Sequence, residues 1–355
     1  LSAPGLDTYS LAYFQCYLRA MRGAAGDRPV YVLECGGASG PNHDGRDIDP
    51  DWAVFAALYG HAHGADALLF WRRDHKLEPE LMLAISRAMR ALDDEPLQSR
   101  STPLIQGVGL VFALDSFFAT QATAGRALPY LQTVQAALGA LQQHQTLYDF
   151  RSDRSLGAEG VPADWRVLVA PGMTIVPAEF ARAARTLLAR GGRLVVTDDF
   201  GVIQTWRGAA VPQEVAALRA EPGTVILPAE KLRAWRVSLG NQERDPSHWQ
   251  RTDAASWARP LWQAVDGAAP RRVTYRAADG SLLVTHAGAR TTGDTWYVFV
   301  DPWARDATVS VPVKFSGCRD LFHHRDLAVS QGAAGTTVRI PTGPAVLRFT
   351  GMKPR

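Results

Sequence analysis

Cysteine is scarce in this sequence: Cys16, Cys35 and Cys318 are the three in 355 residues, at no spacing that suits a metal. They do not form a disulfide framework, and a reducing compartment, the cytoplasm, is the expected location. An excess of charge is lacking too. Lys and Arg number 38 against 35 Asp and Glu, a formal net charge of +3, and the basic residues, mostly Arg, are scattered. That pattern excludes the basic stripe of a nucleic-acid-binding protein. Long apolar runs are missing: stretches such as Gly107–Leu114 fall far short of the ~20 residues needed to cross a bilayer. No nucleic-acid or membrane partner is therefore expected. There is no internal repeat and no low-complexity tract. The chain opens Leu1-Ser2-Ala3-Pro4, with neither an initiator Met nor a signal-peptide pattern, the start expected of a processed or truncated product.

What is present is the composition of a globular protein, 46% hydrophobic and 21% charged, long enough for two or three domains. Leu11, Phe14, Leu18 and Met21 recur at helical spacing, which predicts a helix over 8–22. A strand follows at Pro29–Leu33. Asp49-Pro50 then supplies an N-cap and a first-turn proline for a helix carrying Trp52, Phe55 and Tyr59. Next come a strand, Ala67–Trp71, and a helix over 78–92 with Leu81, Ile85 and Met89 on one face. Apolar strands alternating with amphipathic helices predict parallel strands under helices. Two strands are too few for an independent parallel sheet or a closed barrel, so residues 1–95 are expected to be part of a domain whose remainder lies elsewhere.

Asp93-Asp94-Glu95-Pro96 and the residues to Pro103 form a polar boundary. Beyond it the α/β pattern restarts, with strands at Gly107–Ala113, Val167–Ala170 and Arg193–Thr197, and helices through Leu128–Leu141 and Pro177–Arg190. A doubly wound α/β domain is expected over 103–235. Residues 236–270 read as a linker, although Trp249, Trp257 and Trp262 suit packing on a neighbour. From Arg271 the period becomes two, with a turn at Ala278-Asp279-Gly280 and strands through Leu282–Val284, Trp296–Val300, Thr308–Val311, Val338–Ile340 and Ala345–Phe349. A small antiparallel β-sandwich is expected over 271–355.

Ligands of parallel α/β folds bind at the carboxyl ends of the strands. The stretch Pro29-Val30-Tyr31-Val32-Leu33-Glu34-Cys35-Gly36-Gly37 delivers Glu34 to such an end, and Trp71-Arg72 closes the next strand. A carboxylate on a rigid strand tip suits attack on an anomeric carbon. Trp suits stacking on a sugar ring, and Arg suits orienting a carboxylate or hydroxyl. A solvated strand end at Glu34 and a core role for Trp71 are the competing explanation.

The segments "GDRPVYVLECGGASGPN" and "YGHAHGADALLFWRR" resemble the last barrel units of glycoside hydrolase family 42 β-galactosidases. The resemblance implies that residues 1–95 are the end of a (β/α)8 barrel, that Glu34 is the nucleophile and that Asn42, Trp71 and Arg72 bind substrate. "WRVLVAPGMTIVPAEFARAARTLLARGGRLVVTDDFG" resembles the family's middle domain, a glutamine-amidotransferase-like fold used for trimer formation, so a homotrimer acting on a carbohydrate is implied. No cofactor or metal is. No Cys lies between Cys35 and Cys318, which excludes Cys-nucleophile chemistry in that middle domain.

The chain departs from the family at several positions. The family's acid/base Glu sits on an earlier strand in an Asn-Glu context, and residues 1–33 contain no Glu, so this chain is expected to be inactive alone. His43 follows Asn42 where the family has Trp, and His75 and Glu78 differ in spacing from the family's galactose-gripping pair. The alternative reading is a non-catalytic oligomerisation or carbohydrate-binding module. Of the remaining polar clusters, Asp198-Asp199 reads as a solvated loop and His323-His324 as a β-surface pair. His61 and His63, two apart at a helix end, are expected to face different ways.

Overall fold

The computed structural model describes residues 31–35, 50–71, 79–125, 128–238, 255–268, 273–281, 288–301 and 304–352. Among them one compact unit is continuous, Ile105–Pro270, and the other joins Ala25–Leu104 to Arg271–Arg355. The fold is mixed α/β, with parallel and antiparallel sheets. The helix expected over 8–22 and the strand expected at Leu282–Val284 lie outside the described residues.

The discontinuous unit begins with β1 (Tyr31–Cys35), α1 (Pro50–Ala62) and β2 (Ala67–Trp71). The two strands pair in parallel, as their alternation with helices predicts. Strand β1 reaches Cys35, two residues past the expected end at Leu33, so Glu34 lies inside it. Helix α2 (Pro79–Leu92) follows, and then α3 (Glu95–Arg100) and β3 (Thr102–Pro103) occupy the polar stretch expected to be a boundary. Asp94 organises that stretch. Its Oδ1 accepts the Leu97 amide as the N-cap of α3. It also accepts the Tyr297 hydroxyl at 2.7 Å, while Oδ2 accepts Arg348 Nη1 at 2.6 Å.

On α2 the inward face differs from expectation. Ala88, Ala91 and Leu92 are buried, whereas Met89 is 46% exposed. The alanines let the helix backbone approach its neighbours closely, and the long Met89 side chain is left on the outer side.

The continuous unit is a five-stranded parallel sheet. Its strands are β4 (Val108–Phe112), β5 (Tyr148–Ser152), β6 (Val167–Ala170), β7 (Arg193–Thr197) and β8 (Thr224–Leu227). They are ordered β5-β4-β6-β7-β8, the second-first-third-fourth-fifth arrangement of doubly wound sheets. Helices α4 (Leu114–Ala124) and α5 (Leu128–Gln143) follow β4, α6 (Asp153–Glu159) follows β5, and α7 (Ala178–Ala189) follows β6. Beyond β7 come α8 (Pro212–Ala220), α9 (Ala229–Ser238) after β8, and α10 (Ala255–Ala268). All four residues of β6 are buried, which requires cover on both faces. Gly109 is needed at the middle of β4: a Cβ there would lie 1.8 Å from the ring of Trp165, which is 1% exposed.

Helix α10 lies in the stretch read as a linker, and it packs on the sheet and on α5. Trp257 is buried, Trp262 Nε1 donates to the Ala140 carbonyl at 2.8 Å, and Trp262 stacks on His144 at 5.8 Å. His144 bridges Thr146 Oγ1 at 2.9 Å and Asp266 Oδ2 at 3.2 Å.

The rest of the discontinuous unit is antiparallel. Strands β9 (Thr274–Arg276), β10 (Gly288–Thr292), β11 (Thr295–Val300), β12 (Arg305–Val311), β13 (Phe315–Asp320), β14 (Arg325–Leu327), β15 (Val329–Gly332), β16 (Gly335–Thr342) and β17 (Ala345–Met352) make two sheets. One is ordered β14-β13-β17-β11-β10-β3 and the other β15-β16-β12-β9. They meet where buried Tyr275 donates its hydroxyl to the Phe299 carbonyl at 3.1 Å. Strand β11 reads Trp-Tyr-Val-Phe-Val without a polar break after Thr295, unusual for an antiparallel strand. The explanation is that Tyr297 and Phe299 join Leu321 and Val346 in a core with Val54, Leu58, Ala88, Leu92 and Leu97 of the first three helices. Trp296, Val298 and Val300 alternate with them on the other face, also buried.

Candidate active site

Strands β1 and β2 set the register of the candidate site. Glu34 pairs with Phe70 and Cys35 with Trp71, so Glu34 and Trp71 sit one residue apart along neighbouring strands, about 4.8 Å from strand to strand. Both are at the carboxyl ends, where parallel sheets bind ligands. Asn42 and Arg72 lie outside the described residues, as do His43, His75 and Glu78. Asp66 is exposed and precedes Ala67, the partner of Tyr31. Three residues of strand, roughly 10 Å, separate that end from Glu34.

The histidines at the end of α1 do not converge. His61 lies 6.3 Å from the Phe299 ring, whereas His63 packs edge-on against Tyr59 at 4.1 Å. Burial, then the nearby Arg290 charge, pushes His61 down to about 4, against smaller upward effects of Asp66 and the Ala65 backbone. His61 is thus neutral at physiological pH. Arg290 is itself held by Ser101, donating Nε to its Oγ at 2.7 Å and Nη2 to its carbonyl at 2.6 Å.

The other polar clusters have structural partners. Asp198 Oδ1 accepts the Ala229 amide at 3.0 Å at the start of α9, and Asp199 Oδ2 lies 3.5 Å from Arg233 Nη1. His323 Nδ1 is 2.7 Å from buried Asp320. Burial, with Asp320 and Asp326, pushes the Cys318 thiol up to about 12, so it is no nucleophile. Among the described residues no group of three or more His, Cys, Asp or Glu could hold a metal ion, and no helix is long and apolar enough to cross a membrane.

One unusual group went unread in the sequence. Asp153, the first residue of α6, is fully buried and its carboxyl is raised to about 6. Its signal, a carboxylate directly after an edge strand, is shared with ordinary solvated loops.

No protein-family model matches the chain, and no curated protein matches it. Solved structures do. The chain is similar to the β-galactosidase from Bacillus circulans sp. alkalophilus, with 14% identity and a TM-score of 0.64, covering 99% of this chain and 59% of that one. A glycoside hydrolase family 42 β-galactosidase from G. stearothermophilus gives 12% identity and a TM-score of 0.63, over 96% of this chain and 56% of that one. The α-L-fucosidase isoenzyme 2 from Paenibacillus thiaminolyticus gives 8% and 0.61, over 97% and 63%. The chain therefore shares its fold with family 42 β-galactosidases over little more than half of their length. A fucosidase with nearly the same score shows that this likeness speaks for the fold and not for the sugar.

Proposed function

We propose that the chain is the C-terminal portion of a retaining glycoside hydrolase of the β-galactosidase type, with Glu34 as nucleophile. The observation that carries this is the parallel pair β1–β2, which puts Glu34 and Trp71 at neighbouring carboxyl ends within a fold shared with such enzymes. On this reading β1 and β2 are the last strands of a (β/α)8 barrel, and Asn42, Trp71 and Arg72 line the sugar site. Glu34 attacks the anomeric carbon to form a glycosyl-enzyme ester while an acid on another strand protonates the leaving oxygen. That acid then serves as base for the water that releases the sugar. The mechanism needs the two carboxyls about 5–5.5 Å apart, and Asp66 at the opposite strand end does not meet that need. The 355 residues alone are accordingly inactive.

The unit Ile105–Pro270 is, on the same reading, an amidotransferase-like domain kept for association, and the assembly is a homotrimer. The non-catalytic alternative, an oligomerisation or carbohydrate-binding module, draws support from the absence of a second strand-end carboxylate in β1 and β2. The deciding experiment is turnover of aryl galactosides by the complete protein and its Glu34→Gln variant. Loss of hydrolysis in a folded variant supports the enzyme, as does azide-dependent aglycone release with formation of the glycosyl azide in Glu34→Ala. Near-normal turnover removes Glu34 from the mechanism. Sedimentation at micromolar concentration tests the trimer, and a clean monomer contradicts it.

A further inference from the structure

The continuous unit holds a carboxyl group in an unusual position. Asp153 directly follows the edge strand β5 and opens α6, and none of its surface is exposed. Its Oδ1 accepts two backbone amides, Leu114 N at 3.2 Å and Arg154 N at 2.9 Å. Leu114 is the first residue of α4, so one side-chain oxygen ties the start of that helix to a turn 39 residues further along. The other oxygen, Oδ2, is buried without a hydrogen-bond partner. As an ion the group would keep half of its charge on a buried oxygen to which no described protein group donates, a costly state. As a neutral acid it keeps both amide contacts at Oδ1 and loses that penalty.

The surroundings do not offset the cost. Asp115 on α4 adds repulsion, and its own partner is Arg154 Nη2 at 2.7 Å, so the nearest cation is already engaged. On β5, Arg151 is taken by Asp149 at 3.4 Å and by Glu159 of α6 at 3.0 Å. On α7, which packs against α6, Glu179 and Arg182 face each other at 3.9 Å. Strand β4 brings no charge.

We propose that Asp153 is a proton-controlled latch on the first turn of α4: protonated, it holds the turn closed, and ionised, it leaves its buried position and releases the Leu114 amide. The Ser116 hydroxyl, which accepts the Ile175 amide at 3.0 Å, connects that same turn to the loop after β6, so release has a route to the carboxyl edge of the sheet. The inference is independent of the glycosidase reading.

The direction and size follow from linkage. Burial first, and Asp115 to a lesser degree, raise the Asp153 carboxyl from the ordinary 3.8 to about 6, while the two amides and Arg154 pull it down. A raised folded value means the closing contribution is complete below the ordinary value and is lost as pH climbs through about 6. In the open form the group titrates as an ordinary carboxylate. The opening equilibrium therefore rises about 100-fold across that window and levels off above it.

Hydrogen exchange on the whole chain reads this directly. Protection of the Leu114 amide, corrected for the intrinsic pH dependence of exchange, is expected to fall about 100-fold between pH ~4 and pH ~7. Amides of buried β6 serve as the reference. In Asp153→Asn, whose amide oxygen still accepts both N–H groups, protection of Leu114 should be flat over the same range. In Asp115→Asn the step should move to lower pH. A Leu114 amide whose protection is constant with pH in the native chain, or an unchanged step in Asp153→Asn, overturns the latch. Should that variant fail to fold, carbon NMR of the native Asp153 carboxyl decides: a midpoint near 6 supports the latch, and an ordinary midpoint overturns it.

Discussion

The two units solve the problem of covering a sheet in opposite ways. In Ile105–Pro270 the helices that cover the sheet come from the connections between its own strands and from α9 and α10 directly after the last one, a single continuous stretch among the described residues. In the other unit, sheet and cover come from different ends of the chain. Tyr297 reaches Asp94 across 203 residues and Arg348 reaches the same carboxylate across 254, and α1, α2 and α3 bury the second face of β11. The C-terminal strands are therefore not a module that the α/β unit merely carries. They are half of a core whose other half comes from α1, α2 and α3, and α1 is the helix that connects β1 to β2.

The largest expected effect comes from separating the halves. Residues 271–355 expressed alone expose Tyr297, Phe299, Leu321 and Val346, and should show dispersed NMR lines only when residues 25–104 are restored. Residues 105–270 should fold without either. A folded 271–355 fragment would mean the shared core is incidental.

Smaller changes should divide the units by stability. Leu58→Ala, at a site 3% exposed, is expected to cost ~2–5 kcal/mol in the composite core. Gly109→Ala, which drives a Cβ into Trp165, is expected to cost ~1–3 kcal/mol in the parallel sheet. Thermal melts should show each variant lowering a different transition, and a common shift of both would dissolve the distinction. Smallest is Asp94→Asn. It keeps a capping oxygen but weakens the Arg348 contact, and should cost about 1 kcal/mol, seen only in the composite transition.

How much of this was legible depends on whether the signal is local. β6 and β7 are short apolar runs bounded by turns, and both lie where periodicity puts them. β5 was missed. Its sequence, Tyr-Asp-Phe-Arg-Ser, alternates because it is an edge strand: Tyr148 and Phe150 are buried, while Asp149 and Arg151 pair with each other on the other side. Met89 was expected inward because hydrophobicity outranks size in a pattern, whereas close packing of α2 favours Ala88 and Ala91. The partnership of Tyr297 with Leu58 has no local trace, since a strand's own residues do not say what covers its second face. At the candidate site the sequence places Glu34 and Trp71 at strand ends, and the pairing of β1 with β2 agrees. The pairing gives position alone, and the roles of Glu34, Asn42, Trp71 and Arg72 rest on the family resemblance.

The central claim is the nucleophile, and a mechanism-based label tests it most directly. The complete protein would be incubated with an activated 2-deoxy-2-fluoro-galactoside and its peptides mapped by mass spectrometry. The account predicts a single glycosyl ester on Glu34, absent from Glu34→Gln. A label on any other carboxylate, or turnover with no trapped ester, would contradict it.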